Sequence, residues 1–318
     1  MALALQQVGP IDPCGSDTHG HLTGTGIRRR DVGDGEALGA SGLFDDHGSH
    51  ASTVVTGTLV RMRVTLVQLA STLDSATNRT LVQERLDGVH DADLVVLPEA
   101  TMHDFGDPEH DLAAVAEPLD GPFVDLLLQQ ARRLGATVVA GMFERTDDLP
   151  FNTLVVAGPD GDLAATYRKI HLYDSFGYRE SDRLRAGPLS PVVVPVGDLT
   201  VGLMTCYDLR FPELGRMLVD RGADAFVVPA AWVAGEHKVH HWRTLLTARA
   251  LENTVWVAAA GQGGDRYSGH SLVADPWGTI VEEAAEGDEL VTADLGLDVV
   301  RRSREVNPSL TNRRIPQS

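Results

Sequence analysis

Three ionisable side chains, Glu99, Lys169 and Cys206, stand at comparable points of the chain, each just past a run of β-forming residues. Together their types suit nucleophilic attack on a carbonyl. A thiol attacks as the thiolate, so it needs a base and a nearby positive charge. A carboxylate in a partly buried site can take that proton when its pKa rises toward neutrality. A lysine can stabilise the negative oxygen of a tetrahedral intermediate, joined by the backbone N–H that follows the nucleophile, here that of Tyr207. Singly, each residue also has a plain structural reading. Cys206 reads as a small buried hydrophobe, Glu99 as a first-turn helix acid, and Lys169 as a surface cation beside Arg168.

The elements that must position these groups are legible on either side of them. Residues 199–204 (LTVGLM) form a short apolar run of β-formers, and residues 209–219 carry Leu214, Met217 and Leu218 at helical spacing. Cys206 lies at that junction, where the backbone N–H groups of a helix start favour a thiolate. Upstream, residues 62–70 alternate as a strand and 78–89 have helical spacing. Residues 94–97 are continuously apolar, as in a strand covered on both faces, and end in Pro98-Glu99. Residues 122–134 predict a helix capped by Gly135, and 136–143 a strand. Residues 153–157 and 163–167 predict a hairpin that leads into Arg168-Lys169. Residues 174–190 read as a loop. Beyond the cysteine, strands are expected over 225–229, 255–260, 268–274, 279–282 and 289–294, and helices over 237–252 and 296–304. Strand–helix alternation mixed with hairpins implies an α/β protein with a mixed sheet and helices outside it. Polar groups at its strand ends gather at one edge.

Composition narrows the function classes. The chain has 318 residues, 43% of them hydrophobic and 23% charged, with a formal charge of −18. Such an acidic chain is ill suited to contacts with nucleic-acid phosphates. Its two cysteines, Cys14 and Cys206, lie in unrelated contexts, so no disulfide framework is expected and a reducing cytoplasm is. No apolar run reaches the length of a membrane span, and no secretory signal precedes the first strand. Residues 1–60 are glycine-rich, poor in large apolar groups and without period, and read as a disordered extension.

Three segments carry a resemblance to a known family. Leu97-Pro98-Glu99, the run Tyr167-Arg168-Lys169-Ile170-His171-Leu172 and the run from Cys206 to Glu213 (CYDLRFPE) resemble the three signatures of the nitrilase superfamily, the carbon–nitrogen hydrolases. Their catalytic positions lie 70 and then 37 residues apart, in the family's order. The wording KIHLYD and CYDLRFPEL is similar to the Nit-type amidases, which include omega-amidase and deaminated-glutathione amidase. The resemblance implies a four-layer αββα sandwich over residues 61–305 and a C-terminal arm over 306–318. It implies a Glu99–Lys169–Cys206 triad that hydrolyses a small linear amide through a thioester and releases ammonia, without cofactor or metal. It also implies a homodimer or higher homo-oligomer, formed through a sandwich face that includes the helix after Cys206. A second family glutamate falls on Glu180, where the residues alone read as a solvated loop acid; near Glu99 it would orient Lys169. Arg179 and Arg210 are candidates for pairing a substrate carboxylate, with a structural ion pair as the alternative for each.

Other readings stay open at this point. His171, His237, His240, His241 and His270 could supply a Cys–His pair, although no spacing demands one. His237 and His241 stand four apart, but the order of a helical zinc motif is absent because Glu236 precedes His237. The same triad could serve nitriles or N-carbamoyl compounds, and the fold could carry a catalytically inactive binding protein.

Overall fold

The computed structural model describes residues 61–315. The expected disordered extension over 1–60, Cys14 and the last residues of the arm lie outside them. In chain order the first half runs β1 (Arg61–Gln68), α1 (Ser75–Asp87), β2 (Leu94–Val96), α2 (Leu112–Val115), α3 (Pro122–Leu134), β3 (Thr137–Glu144), β4 (Phe151–Ala157) and β5 (Leu163–Arg168). A two-residue-per-strand hairpin follows, β6 (Asp174–Ser175) and β7 (Tyr178–Arg179). The second half is β8 (Val193–Val196), β9 (Leu199–Leu203), α4 (Pro212–Asp220), β10 (Ala225–Val227), α5 (Lys238–Asn253) and β11 (Trp256–Ala259). It closes with β12 (Leu272–Ala274), β13 (Ile280–Glu283), β14 (Glu289–Gly296) and α6 (Leu297–Val306).

These strands make two six-stranded sheets, ordered β14-β1-β2-β3-β4-β5 and β8-β9-β10-β11-β12-β13. Both sheets have one pattern. Three central strands are parallel, β1-β2-β3 in the first and β9-β10-β11 in the second, and every flanking pair is antiparallel. The order is therefore that of one unit used twice, with β14 in the first sheet standing where β8 stands in the second. β14 returns from the far end of the chain to pair with β1, from Arg61 opposite Gly296 to Gln68 opposite Glu289.

Alternation along the strands explains the layers. Val64, Leu66, Leu94, Val96 and Val139 of the first sheet pack with Val201, Leu203, Ala225 and Val257 of the second. Their neighbours of opposite parity, Val67, Val95 and Val138, pack instead with Val82 and Leu86 of α1 and with Phe123, Leu127 and Ala131 of α3. Leu214 and Leu218 of α4, with Trp242, Leu246 and Ala250 of α5, join the core on the second sheet. The chain is thus an α/β sandwich in which two sheets lie between helices.

Local sequence explains the element ends. Pro122 occupies the first turn of α3 and Gly135 closes it at φ 63°, a left-handed cap that glycine adopts without steric cost. α4 starts at Pro212 rather than at Leu209 as its apolar spacing suggested. Phe211 before the proline is held extended at φ −112° and ψ 96°, which stops the helix from reaching further back. Residues 206–210 form a separate 3₁₀ turn. Residues 174–190 are less irregular than expected, because the β6–β7 hairpin and a 3₁₀ turn at Glu180–Asp182 order them. After α6 the arm folds back on its own chain, where Arg313 pairs with Asp220 at the end of α4. Among the described residues no helix is long and apolar enough to cross a membrane.

Candidate active site

Glu99 follows β2, Lys169 follows β5 and Cys206 follows β9, so the first sheet brings the carboxylate and the ammonium while the second brings the thiol. All three, with Glu180, line one cavity of about 420 Å³. Lys169 and Glu99 are each 1% exposed, as is Glu180. The solvated-loop reading of Glu180 is therefore corrected: its 3₁₀ turn directs it inward. The reading of Glu99 as a first-turn helix acid falls because no helix starts there, and that of Lys169 as a surface cation falls on its burial.

The polar groups form one network. Lys169 Nζ donates to Glu99 Oε1 at 2.9 Å, and to Glu180 Oε2 at 2.9 Å and Oε1 at 3.2 Å. Asn152 on β4 bridges the two carboxylates, its Nδ2 donating to Glu99 Oε1 at 2.7 Å and to Glu180 Oε1 at 3.1 Å. The backbone N–H of Ala231 donates to Glu99 Oε2 at 2.7 Å, and that of Tyr173 to Glu180 Oε2 at 2.6 Å. Two buried carboxylates about one ammonium leave the cluster with a net charge of −1. Burial works against the Lys169 ammonium, but Glu180 and Glu99 outweigh it and hold its pKa well above the ordinary lysine value.

The same charge balance corrects the expected thiolate. Burial first, then the charge of Glu99, push the Cys206 thiol well above its ordinary value, against the opposing pull of Lys169. The resting nucleophile is a thiol. A thiolate added to the cluster would bring it to −2, whereas moving the proton from Cys206 to Glu99 leaves the sum at −1.

Backbone geometry fixes both strand-end groups. Cys206 has φ 45°, a left-handed conformation that disfavours most side chains, and its N–H is anchored to the Pro229 carbonyl at 3.0 Å. Ala100, next to Glu99, also has positive φ, at 57°. Gly141 on β3 lies so close beneath that segment that a Cβ there would stand 2.6 Å from Glu99 Cα and 2.7 Å from the Ala100 nitrogen. Absence of a side chain at 141 lets β3 continue to pair with it, through Gly141 N to Pro98 O at 3.0 Å and Met102 N to Gly141 O at 3.1 Å. The Gln262 side chain holds the Glu99 carbonyl at 2.9 Å from the second sheet's side.

Asp208, fully buried, ties the lysine segment to the cysteine turn. Its Oδ2 accepts from Tyr167 Oη at 2.6 Å and from the Thr205 N–H at 2.9 Å. Its Oδ1 accepts from the His171 N–H at 3.1 Å and pairs with His171 Nδ1 at 2.7 Å. The two residues flanking Lys169 at a distance of two thus reach across to the turn that carries Cys206. His171, one of the histidines considered for a Cys–His pair, is engaged there and stacks on Phe211 at 3.8 Å.

Aromatic groups shape the rest of the cavity, including Phe105, Tyr173, Phe176, Tyr207, Trp232 and Tyr267. Tyr207, whose backbone N–H was singled out, lies in this wall beside Cys206. Arg210 also lines it. Arg179 does not; it is two-thirds exposed and pairs with Asp182 at 3.2 Å, so its candidacy for a substrate carboxylate is withdrawn. Among the described residues no group of three or more His, Cys, Asp or Glu side chains is placed to hold a metal.

Sequence reasoning missed Asn152, although asparagine inside a β-run is unfavourable for the strand and signals another task. It also missed the backbone donors of Ala231 and Tyr173, which no side-chain pattern reveals.

The carbon–nitrogen hydrolase family model matches residues 63–305. A deaminated glutathione amidase of Escherichia coli O157:H7 is 41% identical over 227 residues, 71% of this chain and 86% of that protein. A hydrolase of Mycobacterium tuberculosis H37Rv is 42% identical over 263 residues, 77% of this chain and 92% of its own. The crystal structure of a CN-hydrolase superfamily protein from Xanthomonas campestris, with an arsenic adduct in its active site, superposes with a TM-score of 0.75 at 32% identity, covering 81% of this chain and 99% of that one. A glutamine-for-glutamate mutant of the amidase from Nesterenkonia sp. AN1 superposes with a TM-score of 0.69 at 27% identity, over 81% of this chain and 95% of that one. It carries the acetamide moiety of fluoroacetamide covalently added at its active-site cysteine.

Proposed function

From this chain's membership of the carbon–nitrogen hydrolase family, we propose that it is an amidase that cleaves a small linear amide through a thioester on Cys206. Glu99 takes the thiol proton as Sγ attacks the amide carbon. The carbonyl oxygen gathers negative charge and is stabilised by Lys169 Nζ and the Tyr207 backbone N–H. The C–N bond breaks, the proton held by Glu99 goes to the leaving nitrogen, and ammonia departs from the acyl-thioester. Water, deprotonated by Glu99, then attacks the thioester carbon, the S–C bond breaks and the thiol recovers its proton. Glu180 and Asn152 hold Lys169 and Glu99 in place throughout.

The observation that carries this reading is the buried Glu99–Lys169–Glu180 cluster in one cavity with Cys206, whose charge is unchanged by the first proton transfer. The covalent acetamide on the cysteine of the Nesterenkonia amidase, which keeps its amide and is bound through carbon, supports a nucleophilic cysteine at this position. The deaminated glutathione amidases among its relatives favour an acyl group that bears a carboxylate or a 2-oxo acid.

The test is a panel of primary amides, N-carbamoyl amino acids and nitriles, followed by ammonia release and by intact mass of acid-quenched enzyme. Fastest turnover of primary amides with an acyl adduct on Cys206 is expected. Preference for nitriles or carbamoyl compounds overturns the substrate class. Normal turnover in Cys206→Ala overturns the mechanism, and no turnover of any member favours an inactive binding protein.

A further inference from the structure

Three consecutive residues beyond β10 hold three different parts of the catalytic centre. The Pro229 carbonyl accepts from the Cys206 N–H at 3.0 Å, and the Ala230 carbonyl accepts from the Gln262 N–H at 2.8 Å. The Ala231 N–H donates to Glu99 Oε2 at 2.7 Å. Nucleophile, base and Gln262 are thus all referred to one short stretch of backbone. Cys206 and Gln262 follow strands of the same sheet as that stretch, β9 and β11, whereas Glu99 follows β2 of the other sheet.

Gln262 reaches across to Glu99 and fastens it. The residue is fully buried and stands behind the cavity rather than in its wall. Its Nε2 donates to the Glu99 carbonyl at 2.9 Å and to Ser71 Oγ at 2.8 Å, and its Oε1 accepts from the Ser71 N–H at 2.9 Å. Ser71 Oγ in turn donates to the Thr101 carbonyl at 3.2 Å. Both donors of the amide are therefore used, and its orientation is fixed by Ser71. The backbone that carries it is pinned as well, by Gly269 N to Gln262 O at 3.1 Å and by Gly263 N to Leu69 O at 2.8 Å. The segment it grips is the strained one, with Ala100 at φ 57°. A shift of one sheet against the other would carry Glu99 away from both Ala231 and Cys206, and the Gln262 bridge resists that shift.

We infer that Gln262 is a positioning residue that sets the separation of base and nucleophile, by clasping the Glu99 backbone of one sheet to the 229–231 segment of the other, on which Cys206 is anchored. The inference rests on the reading of Glu99 as the base for Cys206. Gln262 touches no substrate, so its effect is on the chemical step and not on substrate binding. Loss of its amide leaves the Glu99 carbonyl without that donor and frees the turn to move. The thiol reports the movement, because the charge of Glu99 and its hydrogen bond help to hold the Cys206 pKa up.

The experiment replaces Gln262 by methionine, which keeps the length of the side chain and removes both donors. Ammonia release from primary amides gives kcat and KM. Alkylation of Cys206 by iodoacetamide across a range of pH gives the thiol's midpoint and needs no turnover. Gln262→Met should lower kcat about 10- to 100-fold, as a displacement of under 1 Å to 1 Å would. KM should stay within about 3-fold of the wild type, since the cavity wall is untouched. The alkylation midpoint should move to lower pH. A glutamine that merely fills the core lowers Tm and leaves both kcat and midpoint at their wild-type values; either value unchanged, or a loss confined to KM, overturns the inference. A lowered midpoint without ammonia from any amide, in wild type or variant, upholds the clasp and overturns the reaction. Should Gln262→Met not fold, Ser71→Ala decides, for it removes from a half-buried site the hydroxyl that orients the amide. A kcat about 3- to 10-fold lower with the midpoint moved down upholds the inference, and wild-type values overturn it.

Discussion

Replacing Glu180 by glutamine alters charge without altering shape, and the hydrogen bonds fix the outcome. Every partner of this carboxylate is a donor: Lys169 Nζ and Asn152 Nδ2 at Oε1, Lys169 Nζ and the Tyr173 N–H at Oε2. Whichever way the new amide is turned, its NH₂ faces two donors, one of them the ammonium. One charged and one neutral hydrogen bond are lost, about 2–4 kcal/mol in all. For a domain of this size that lowers Tm by roughly 5–15 °C while the fold persists. Lys169 then has Glu99 as its remaining counter-charge and shifts toward it; a displacement of about 1 Å costs on the order of 10² in kcat. The thiol responds in the opposite sense. Glu180 is one of the charges that push the Cys206 pKa up, so its removal lets the thiol ionise at lower pH. Glu180→Gln should therefore be slower in turnover yet alkylated by iodoacetamide with a midpoint moved to lower pH. The same charge change should move the acidic limb of the pH–rate profile. Circular dichroism, ammonia release and pH-dependent alkylation measure these effects together. Unchanged kcat, or an alkylation midpoint that moves upward, refutes the reasoning.

Three further outcomes are expected. The Cys206 pKa is raised on folding, first by burial and then by Glu99, so the stability it contributes is present below the unfolded thiol's pKa of about 8.5 and lost as pH rises through the folded value. The Tm of Cys206→Ala should accordingly gain on the wild type between pH 8 and 10, by up to about 1.4 kcal/mol per pH unit in stability, and a constant difference contradicts the buried neutral thiol. Gly141→Ala places a methyl against the Glu99 backbone and should lower kcat on the order of 10²-fold by moving the base, a loss that steady-state kinetics would detect; wild-type kcat would mean the contact is relieved elsewhere. Light scattering at micromolar concentration should give a homodimer, joined through a sandwich face that includes α4, and a monomer speaks against that association.

How far the site was legible depended on the kind of interaction that placed each residue. Glu99 and Cys206 were legible because short apolar runs end at them, and strand ends are where a sheet presents polar groups. α3 was legible to the residue because Pro122 and Gly135 punctuate it. The start of α4 was misread because apolar spacing continues through Leu209, while the restriction on Phe211 comes from Pro212 beside it. Glu180 could be matched to a family position, but its burial depends on the β6–β7 hairpin, whose two-residue strands leave no periodic trace. Lys238, which lies over the Tyr173 and Phe176 rings, read merely as the opening of a helix, since those rings come from a distant segment. The shared order of the two sheets left no trace either: Glu99 after β2 has as its counterpart the stretch after β10, where a backbone N–H at Ala231 takes the place of a side chain.

The pairing of β1 with β14 bears on how the enzyme comes into being on the ribosome. β1 is the first described strand to be synthesised, yet one of its edges is covered only by residues 289–296, close to the end of the chain. Gln68 at its tip donates to the Ala285 carbonyl at 2.7 Å and accepts from the Ser271 N–H at 2.8 Å, partners before β12 and between β13 and β14. The first sheet therefore waits with an open edge, holding Glu99 and Lys169 but not their final framework, until β14 has been made. Assembly of the catalytic centre follows the synthesis of β14. A nascent chain truncated before β14 exposes a strand edge of the kind that chaperones shield and that other chains can pair with.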